Sequence, residues 1–592
     1  MKHPEHPGNI RFYKFDPFSD KVYTPHKSFS DADCRPRQKS SSLTSSRTIP
    51  LLLMFFILCF QIVLVFTGCS SVPENAPLTI PNGYDSLAGE FVEEASFPHQ
   101  EMQYLTFEEI ESLAMDPHPE GPLQDKLSRF WETPIISNAA WYRGVRPRRP
   151  SNAYLGDYLR IGTWNIENSL HLDLIGKLLA SEETYRQYLD GPFPKRQKTE
   201  YLRQRERLAS ADVLVLQEID IGVPRSDYIH GPEYLAQTLG MNYAYAPQAL
   251  ELGPVLTELE LDRIRDIQLP EEQQPDTELY RGVFGSLVLS KYPIKSAECF
   301  QLKLQPYDWY EAELAEYDAI EGIRKFGSKS FFHNEIRREA KIGGRNFFRV
   351  DIEVPGLPKD TLTVINIHLE IKAQPEERAQ QIREILDYIG EIENPVVLAG
   401  DFNSSRYDMS PTSLPRVTSR LARDANFWID VGINLFSPAY SVYNTGRFIL
   451  NEGKDLHNPV AINIPVALPN KALELFTEIR EYRFQDGGRF DFRGDREHSI
   501  NQRDAKLSNS NEKAFYGYRP TFSVKRPIGP FGRNRLDWIF VKSGFYTDEK
   551  DSYRLAPHFG ETLSAFHEAM PEFLSDHRPN IIDLPLQNPP VP

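Results

Sequence analysis

The sequence predicts a layered α/β (α+β) domain, and three observations carry the prediction. Short apolar, β-rich runs recur from Tyr154 onward, amphipathic helical stretches lie between some of them, and polar residues recur where the runs end. The runs are Leu159–Trp164, Val213–Gln217, Val283–Ser290, Phe347–Val354, Leu362–His368, Val396–Ala399, Leu536–Val541 and Asn580–Leu584. Helical periodicity is clearest over Tyr201–Ala209, Glu233–Leu239 and Pro375–Ile389. We delimit the domain as residues 154–586, with polar inserts near 250–280, 305–345 and 430–515 that read as loops or small decorations near the site mouth.

Two segments precede it. Residues 1–69 hold a polar leader with Arg35, Arg37, Lys39 and Arg47, then the apolar run Leu51–Phe66, then Thr67-Gly68-Cys69. A basic flank, a greasy stretch and small residues describe an export signal. The run is shorter than the roughly 20 residues of a spanning helix. Thr-Gly-Cys resembles the lipoprotein box of bacteria, in which the cysteine is lipidated, although Phe66 replaces the usual aliphatic residue and the leader is long. An uncleaved signal-anchor helix is one alternative, and a misleading upstream start or other origin is another. All three readings expect the bulk of the chain outside the cytoplasm, and the lipoprotein reading attaches it to the membrane of a bacterial cell envelope. Residues 70–153 are rich in Pro, Glu and Ser, with helical pieces at Phe107–Met115 and Leu123–Trp131, and read as a tether and packing extension.

The chain has 592 residues, 40% hydrophobic and 25% charged, which suffices for a large core. A formal charge of −16 opposes indiscriminate nucleic-acid binding, because that requires Lys and Arg to neutralise phosphates. The four cysteines form neither a zinc spacing nor a disulfide framework. Cys299 is expected to be a buried, inert thiol.

Six strand ends carry chemistry-bearing side chains: Gly162–Glu167, Leu216-Gln-Glu218, Asn366-Ile-His368, Ala399-Gly-Asp-Phe-Asn403, Arg535-Leu-Asp537 and Ser575-Asp-His577. Together they supply Asn165, Glu218, His368, Asp401, Asn403, Asp537, Asp576 and His577. Oxygen donors and imidazoles without thiols suit a hard divalent cation, magnesium or manganese. Taken singly, each has a bland explanation: a capped turn, a tight Gly-Asp turn, a satisfied core histidine. Six in one chain, each closing a β-rich run, argue for convergence on one sheet edge.

The ordered set resembles the endonuclease/exonuclease/phosphatase superfamily over roughly residues 155–586, most specifically at Trp164-Asn165, Gln217-Glu218, Gly400–Asn403, Arg535–Asp537 and Ser575–His577. Pro520-Thr-Phe522 looks like the family's segment before the Arg535 strand. The resemblance implies a four-layered α/β sandwich of two packed mixed sheets with outer helices. It also implies a metal-dependent phosphoric ester hydrolase. By resemblance Glu218 is the principal metal ligand with Asn165 and Asp576 nearby, Asp401 orients or deprotonates water, and Asn403 holds phosphoryl oxygens. Asp537 fixes the tautomer of His577, which serves as general base or as a phosphate-binding cation. His368 points to the deoxyribonuclease/sphingomyelinase-like branch, where its counterpart is thought to protonate the leaving group. Arg225 could reach a phosphate, or lie on an exposed turn.

The substrate is left open between nucleic acid, a phospholipid such as sphingomyelin, and a small phosphate ester, acted on by what we expect to be a monomer. A nuclease needs a basic, aromatic-bearing groove. Residues 324–349, with Arg324, Lys325, Lys329, Arg337, Arg338, Lys341, Arg345 and Arg349 interleaved with Phe331, Phe332, Phe347 and Phe348, are the candidate, against a solvated hairpin with a core-facing Phe face. The remaining alternative is a catalytically inactive binding protein on the same scaffold.

Overall fold

A computed structural model describes residues 97–189, 193–253, 276–314, 340–405, 472–492, 510–512, 518–528, 531–545, 552–556, 558–570 and 574–588. The export segment and Cys69 lie outside these residues, as do 254–275, 315–339 and most of 430–515. Among the described residues no helix is long and apolar enough to cross a membrane.

Sixteen strands are described. They are β1 (Ile135–Ser137), β2 (Ser151–Asn152), β3 (Gly156–Asn165), β4 (Val213–Ile221), β5 (Asn242–Glu251), β6 (Val283–Ser290), β7 (Ile294–Gln301) and β8 (Lys341–Gly343). They continue with β9 (Asn346–Glu353), β10 (Thr361–His368), β11 (Val396–Asp401), β12 (Phe522–Ile528), β13 (Phe531–Asn534), β14 (Asp537–Lys542), β15 (His558–Thr562) and β16 (Asn580–Pro585). One sheet has the order β1-β5-β6-β4-β3-β16-β15, with β2 on β3 and β8 on β5; a second has the order β14-β11-β10-β9-β7, and β12 and β13 form a two-stranded sheet of their own.

The two sheets face each other because their strands alternate between two apolar environments, as a period of two requires. In β4, Val213 and Val215 enter the core between the sheets, while Leu214 and Leu216 face the helix side. In β10, Leu362 and Val364 turn inward; Ile365 and Ile367 turn outward. Each such side chain contributes about 1.5–3 kcal/mol by leaving water. Helices cover both outer faces. Leu172–Ala180, Lys195–Ala209 and Gly231–Leu239 pack on the larger sheet, and Pro375–Ile389 and Leu473–Glu481 on the smaller. Helix, sheet, sheet, helix is the four-layered α/β sandwich that the resemblance implies.

Two of the segments read as decoration or packing extension pack onto this sandwich. The helix Leu473–Glu481, inside the 430–515 insert, buries Leu475, Phe476 and Ile479 in the outer core and pairs Glu474 and Glu478 with Arg383 of the long helix. Within 97–152, β1 adds an edge strand to β5, and Leu113 and Phe130 are fully buried against the larger sheet.

Strand direction gathers the site. β3 runs parallel to β4, and β10 parallel to β11, so all four carboxyl ends reach one edge. β14 and β16 run antiparallel to β11 and β3, so their amino ends arrive there too. The register places His368 opposite Asp401, and Asp401 opposite Asp537.

Candidate active site

Backbone irregularities aim the side chains at this edge. Glu218 occupies a β-bulge of β4, where the register slips between Gln217 and Ile219, and has φ 64°. A bulge lets a strand re-aim one residue. Glu167, Asn168 and Ser169 all have φ between 51° and 55°, and Asn403 has φ 45°. Left-handed non-glycine residues cluster where function requires strain. Gly400 has φ 141°, and a Cβ there would lie 2.0 Å from the Ile367 carbonyl oxygen, so only glycine lets β11 press against β10 at this point.

Hydrogen bonds then fix the cluster. The Asn165 amide donates to Glu218 Oε1 at 2.9 Å and Asp401 Oδ2 at 3.3 Å. The Asn168 backbone N–H donates to Glu218 Oε2 at 2.8 Å. Asn403 N–H donates to Asp401 Oδ1 at 2.8 Å, closing the Gly-Asp-Phe-Asn turn. His577 Nδ1 lies 2.8 Å from Asp537 Oδ2, and a carboxylate acceptor there places the ring proton on Nδ1 and leaves Nε2 to the cleft. Asp401 Oδ2 stands 3.8 Å from His577 Nε2, and Asp576 Oδ1 3.9 Å from it. His368 Nε2 stands 3.7 Å from Asp401 Oδ2 and 3.8 Å from Glu218 Oε1. Eight of the sequence-predicted site residues thus form one continuous constellation.

Its electrostatics follow from burial and mutual charge. Burial raises the Asp401 pKa to about 6, against the lowering pull of His577 and with support from Asp537 and Glu218. Burial disfavours charge on His577, but Asp537 and Asp401 outweigh it and hold that imidazole well above its ordinary value. His368 is pushed the other way, first by burial and then by Arg345, His577 and Lys341, and is neutral at neutral pH. Titratable groups driven apart like this are the signature of a reacting site.

The ligand atoms of Asp401, Asp537 and His577 all lie within 4.8 Å of one another. The 2.8 Å Asp537–His577 contact already occupies two of them, so this trio reads best as an acid–base group. Beside it, Glu218 Oε1 and Asp401 Oδ2 lie 3.8 and 3.7 Å from His368 Nε2, too far for direct hydrogen bonds. The donors around Glu218 are carboxylate oxygens without thiols, a chemistry that suits a small hard divalent ion.

Several residues serve the site without having been singled out. Glu167 Oε2 accepts from the Asp576 N–H at 2.9 Å, and Ser575 Oγ donates to the Asn165 carbonyl at 2.7 Å while accepting from His577 N–H. Thr521 Oγ1 accepts from the N–H groups of Leu536 and Asp537. Gln217 donates to Asn366 at 2.8 Å, bonding the two sheets beneath the cluster. All sit within the quoted strand ends or beside them; their neighbourhood was visible in sequence, but their partners were not.

Arg225 is a correction. Its guanidinium is 1% exposed and clamped between Asp220 (2.7 Å) and Glu251 (2.6 Å), so it is neither a phosphate ligand of the cluster nor an exposed turn residue. In the basic stretch, Phe347 and Phe348 are core residues, Arg349 pairs with Asp351 and Arg345 with Glu370; residues 324–339 lie outside those described. Cys299 is half-buried, and burial pushes its thiol up to about 12, which makes it inert.

A family model described as the Endonuclease/Exonuclease/phosphatase family matches residues 162–577. The chain belongs to this family, whose members hydrolyse phosphoesters. Solved structures similar to it include an endonuclease/exonuclease/phosphatase from Beutenbergia cavernae, at 16% identity over 74% of this chain and 72% of that one, TM-score 0.33. An AP endonuclease from Archaeoglobus fulgidus shares 12% identity over 72% and 99%, TM-score 0.33. The human Nocturnin catalytic domain with bound sulfate shares 11% over 72% and 93%, TM-score 0.30. No curated protein matches the chain.

Proposed function

We propose that this chain is a divalent-metal-dependent phosphoester hydrolase with phosphodiesterase or nuclease-type chemistry, tethered to a membrane outside the cytoplasm. The observation that carries the catalytic reading is the buried Asp537–His577 pair at 2.8 Å, with Asp401 Oδ2 3.8 Å from the free ring nitrogen.

Glu218, with Asn165 and Asp576 beside it, is the set that would hold magnesium or manganese. As placed, Asn165 offers its amide N–H to Glu218 and its oxygen to Glu167 N–H, so its part is to orient the Glu218 carboxylate. A bound divalent ion supplies charge neutralisation of the non-bridging phosphoryl oxygens. Asp401, with its raised pKa, orients or deprotonates the attacking water. Asn403 is the residue that would hold a phosphoryl oxygen, its amide donating in the free protein to the Leu369 carbonyl at 3.0 Å and to Asp401 Oδ2 at 3.4 Å. His577, kept in one tautomer by Asp537, takes a proton at Nε2 or pairs with phosphate as a cation. His368 faces the same space through Nε2 and, neutral when free, donates to the leaving oxygen.

The full chain is to be assayed with magnesium against plasmid DNA, sphingomyelin, lysophospholipid and inositol phosphates. Hydrolysis of one class, abolished by Asp401→Ala and by His577→Ala in folded protein, is expected. Hydrolysis of none with any common divalent metal would favour a binding protein on this scaffold. The tether rests on the run Leu51–Phe66 before Cys69. Mass spectrometry of the processed N-terminus is expected to find a diacylglyceryl group on Cys69, and an intact Met1 start would contradict it.

A further inference from the structure

Among the described residues, one cation near the reacting edge stands without a counter-ion. Lys341 in β8 is half-buried, its ammonium 5.0 Å from the Phe284 ring centre and 5.2 Å from that of Trp309. Among the described residues it has no carboxylate partner and no side-chain hydrogen bond. The nearby carboxylates are committed elsewhere. Glu251, across the β5–β8 ladder from Lys341, holds Arg225. Glu370 accepts from Arg345, from the Trp309 indole N–H at 3.0 Å and from Lys372 N–H. Aromatic faces attract an ammonium but do not cancel its charge.

The surroundings of Lys341 are bonded to the reacting edge. Arg345 shares the Trp309 ring, 4.9 Å from its centre, and donates to Gln248 Oε1 at 3.0 Å; Gln248 in turn donates to the His368 carbonyl at 3.5 Å. Lys341 is close enough that its charge weighs against protonation of His368. The floor of the site, by contrast, is crowded with the carboxylates of Glu218, Asp401, Asp537 and Asp576. An anionic ligand entering this field is repelled by the floor and drawn to one side.

We propose that Lys341, backed by Phe284 and Trp309, is a subsite for a second phosphate group of the substrate, on the His368 side of the scissile phosphoester. The inference rests on the phosphoester-hydrolase reading above and narrows it to substrates with two phosphates in close succession. A polynucleotide backbone and a small bisphosphorylated ester both offer that chemistry.

The test measures calorimetric dissociation constants in magnesium for the full chain carrying His577→Ala, with two ligand pairs. One pair is a thymidine dinucleotide with and without a terminal phosphate, at either end. The other is inositol bisphosphate against inositol monophosphate. The parent is expected to prefer the doubly charged member of at least one pair by roughly ten- to a hundredfold, the range for a hydrogen bond to a charged group. Lys341→Met and Lys341→Gln should each erase that preference, and Lys341→Arg should restore it; two neutral variants guard against one that misfolds. The preferred pair identifies the source of the second phosphate. Equal binding within both pairs, or a preference unchanged in the neutral variants, overturns the subsite. Wild-type protein that hydrolyses neither ligand, with the Lys341-dependent preference intact, would instead refute the hydrolase reading alone.

Discussion

Asp537→Asn isolates what the Asp537–His577 pair contributes. The substitution keeps size and shape but removes a negative charge whose side chain is fully buried and 2.8 Å from His577 Nδ1. Two unit charges about 4 Å apart interact by about 4 kcal/mol at an effective dielectric of about 20. That is roughly a thousandfold in rate, within the 10²–10⁴-fold typical of a positioned acid or base. The assay is kcat for bis(p-nitrophenyl) phosphate with magnesium, alongside thermal unfolding to show that the variant is folded. A second readout is independent of turnover. Asp537 and Asp401 hold His577 well above its ordinary pKa, so its imidazolium persists to higher pH than a free histidine's. Removing Asp537 must shift the ring's titration to lower pH, as nitrogen-resolved NMR of His577 would show. A kcat within threefold of wild type, or an unmoved titration, would refute the reasoning.

Further outcomes follow from three other positions in the fold. Asp583 is buried and bonded to Arg160 at 2.7 Å and Arg207 at 3.2 Å; Asp583→Ala strands those guanidiniums and should cost about 3–5 kcal/mol in denaturant unfolding. Burial opposes the Asp583 charge, but the two arginines outweigh it and hold its pKa below the usual 3.8, so its contribution is present above about pH 4 and lost as pH falls further; acid unfolding of Asp583→Asn should lack that part. Arg225→Gln should lose stability on the same scale while KM of the folded protein stays put; a raised KM without lost stability would return Arg225 to the phosphate site. Gly400→Ala must displace the Ile367 carbonyl or collapse the turn, so at least about 3 kcal/mol of stability should go, read as a lower urea midpoint.

Sequence legibility followed the strength of local periodicity. β6 and the helix Pro375–Ile389 were readable to the residue, since one is a β-rich apolar run interrupted only by the small Gly285 and Ser286 and the other a regular stripe opened by Pro375. β5 was missed, although every residue of it is buried, because Pro247 and Gln248 interrupt its pattern at a second bulge. β7 was missed because only Ile294 of it is fully buried, leaving a half-exposed edge strand with little contrast. The site residues were legible as polar ends to greasy strands; their convergence required strand direction, which no single segment encodes. Arg225 shows the limit most clearly. An arginine shortly after a metal-ligand candidate is equally consistent with a ligand and a buried ion pair, and only the distant Glu251 decides between them.

The account turns on Glu218 as the carboxylate that holds the metal at the reacting edge. Its most direct test is the initial rate of bis(p-nitrophenyl) phosphate hydrolysis against magnesium concentration, for chelator-stripped wild type and Glu218→Ala. The account predicts no rate without metal, saturation in wild type, and a rate at least 10²-fold lower for Glu218→Ala at every concentration. A metal-independent wild-type rate, or superimposable curves for the two proteins, would contradict it.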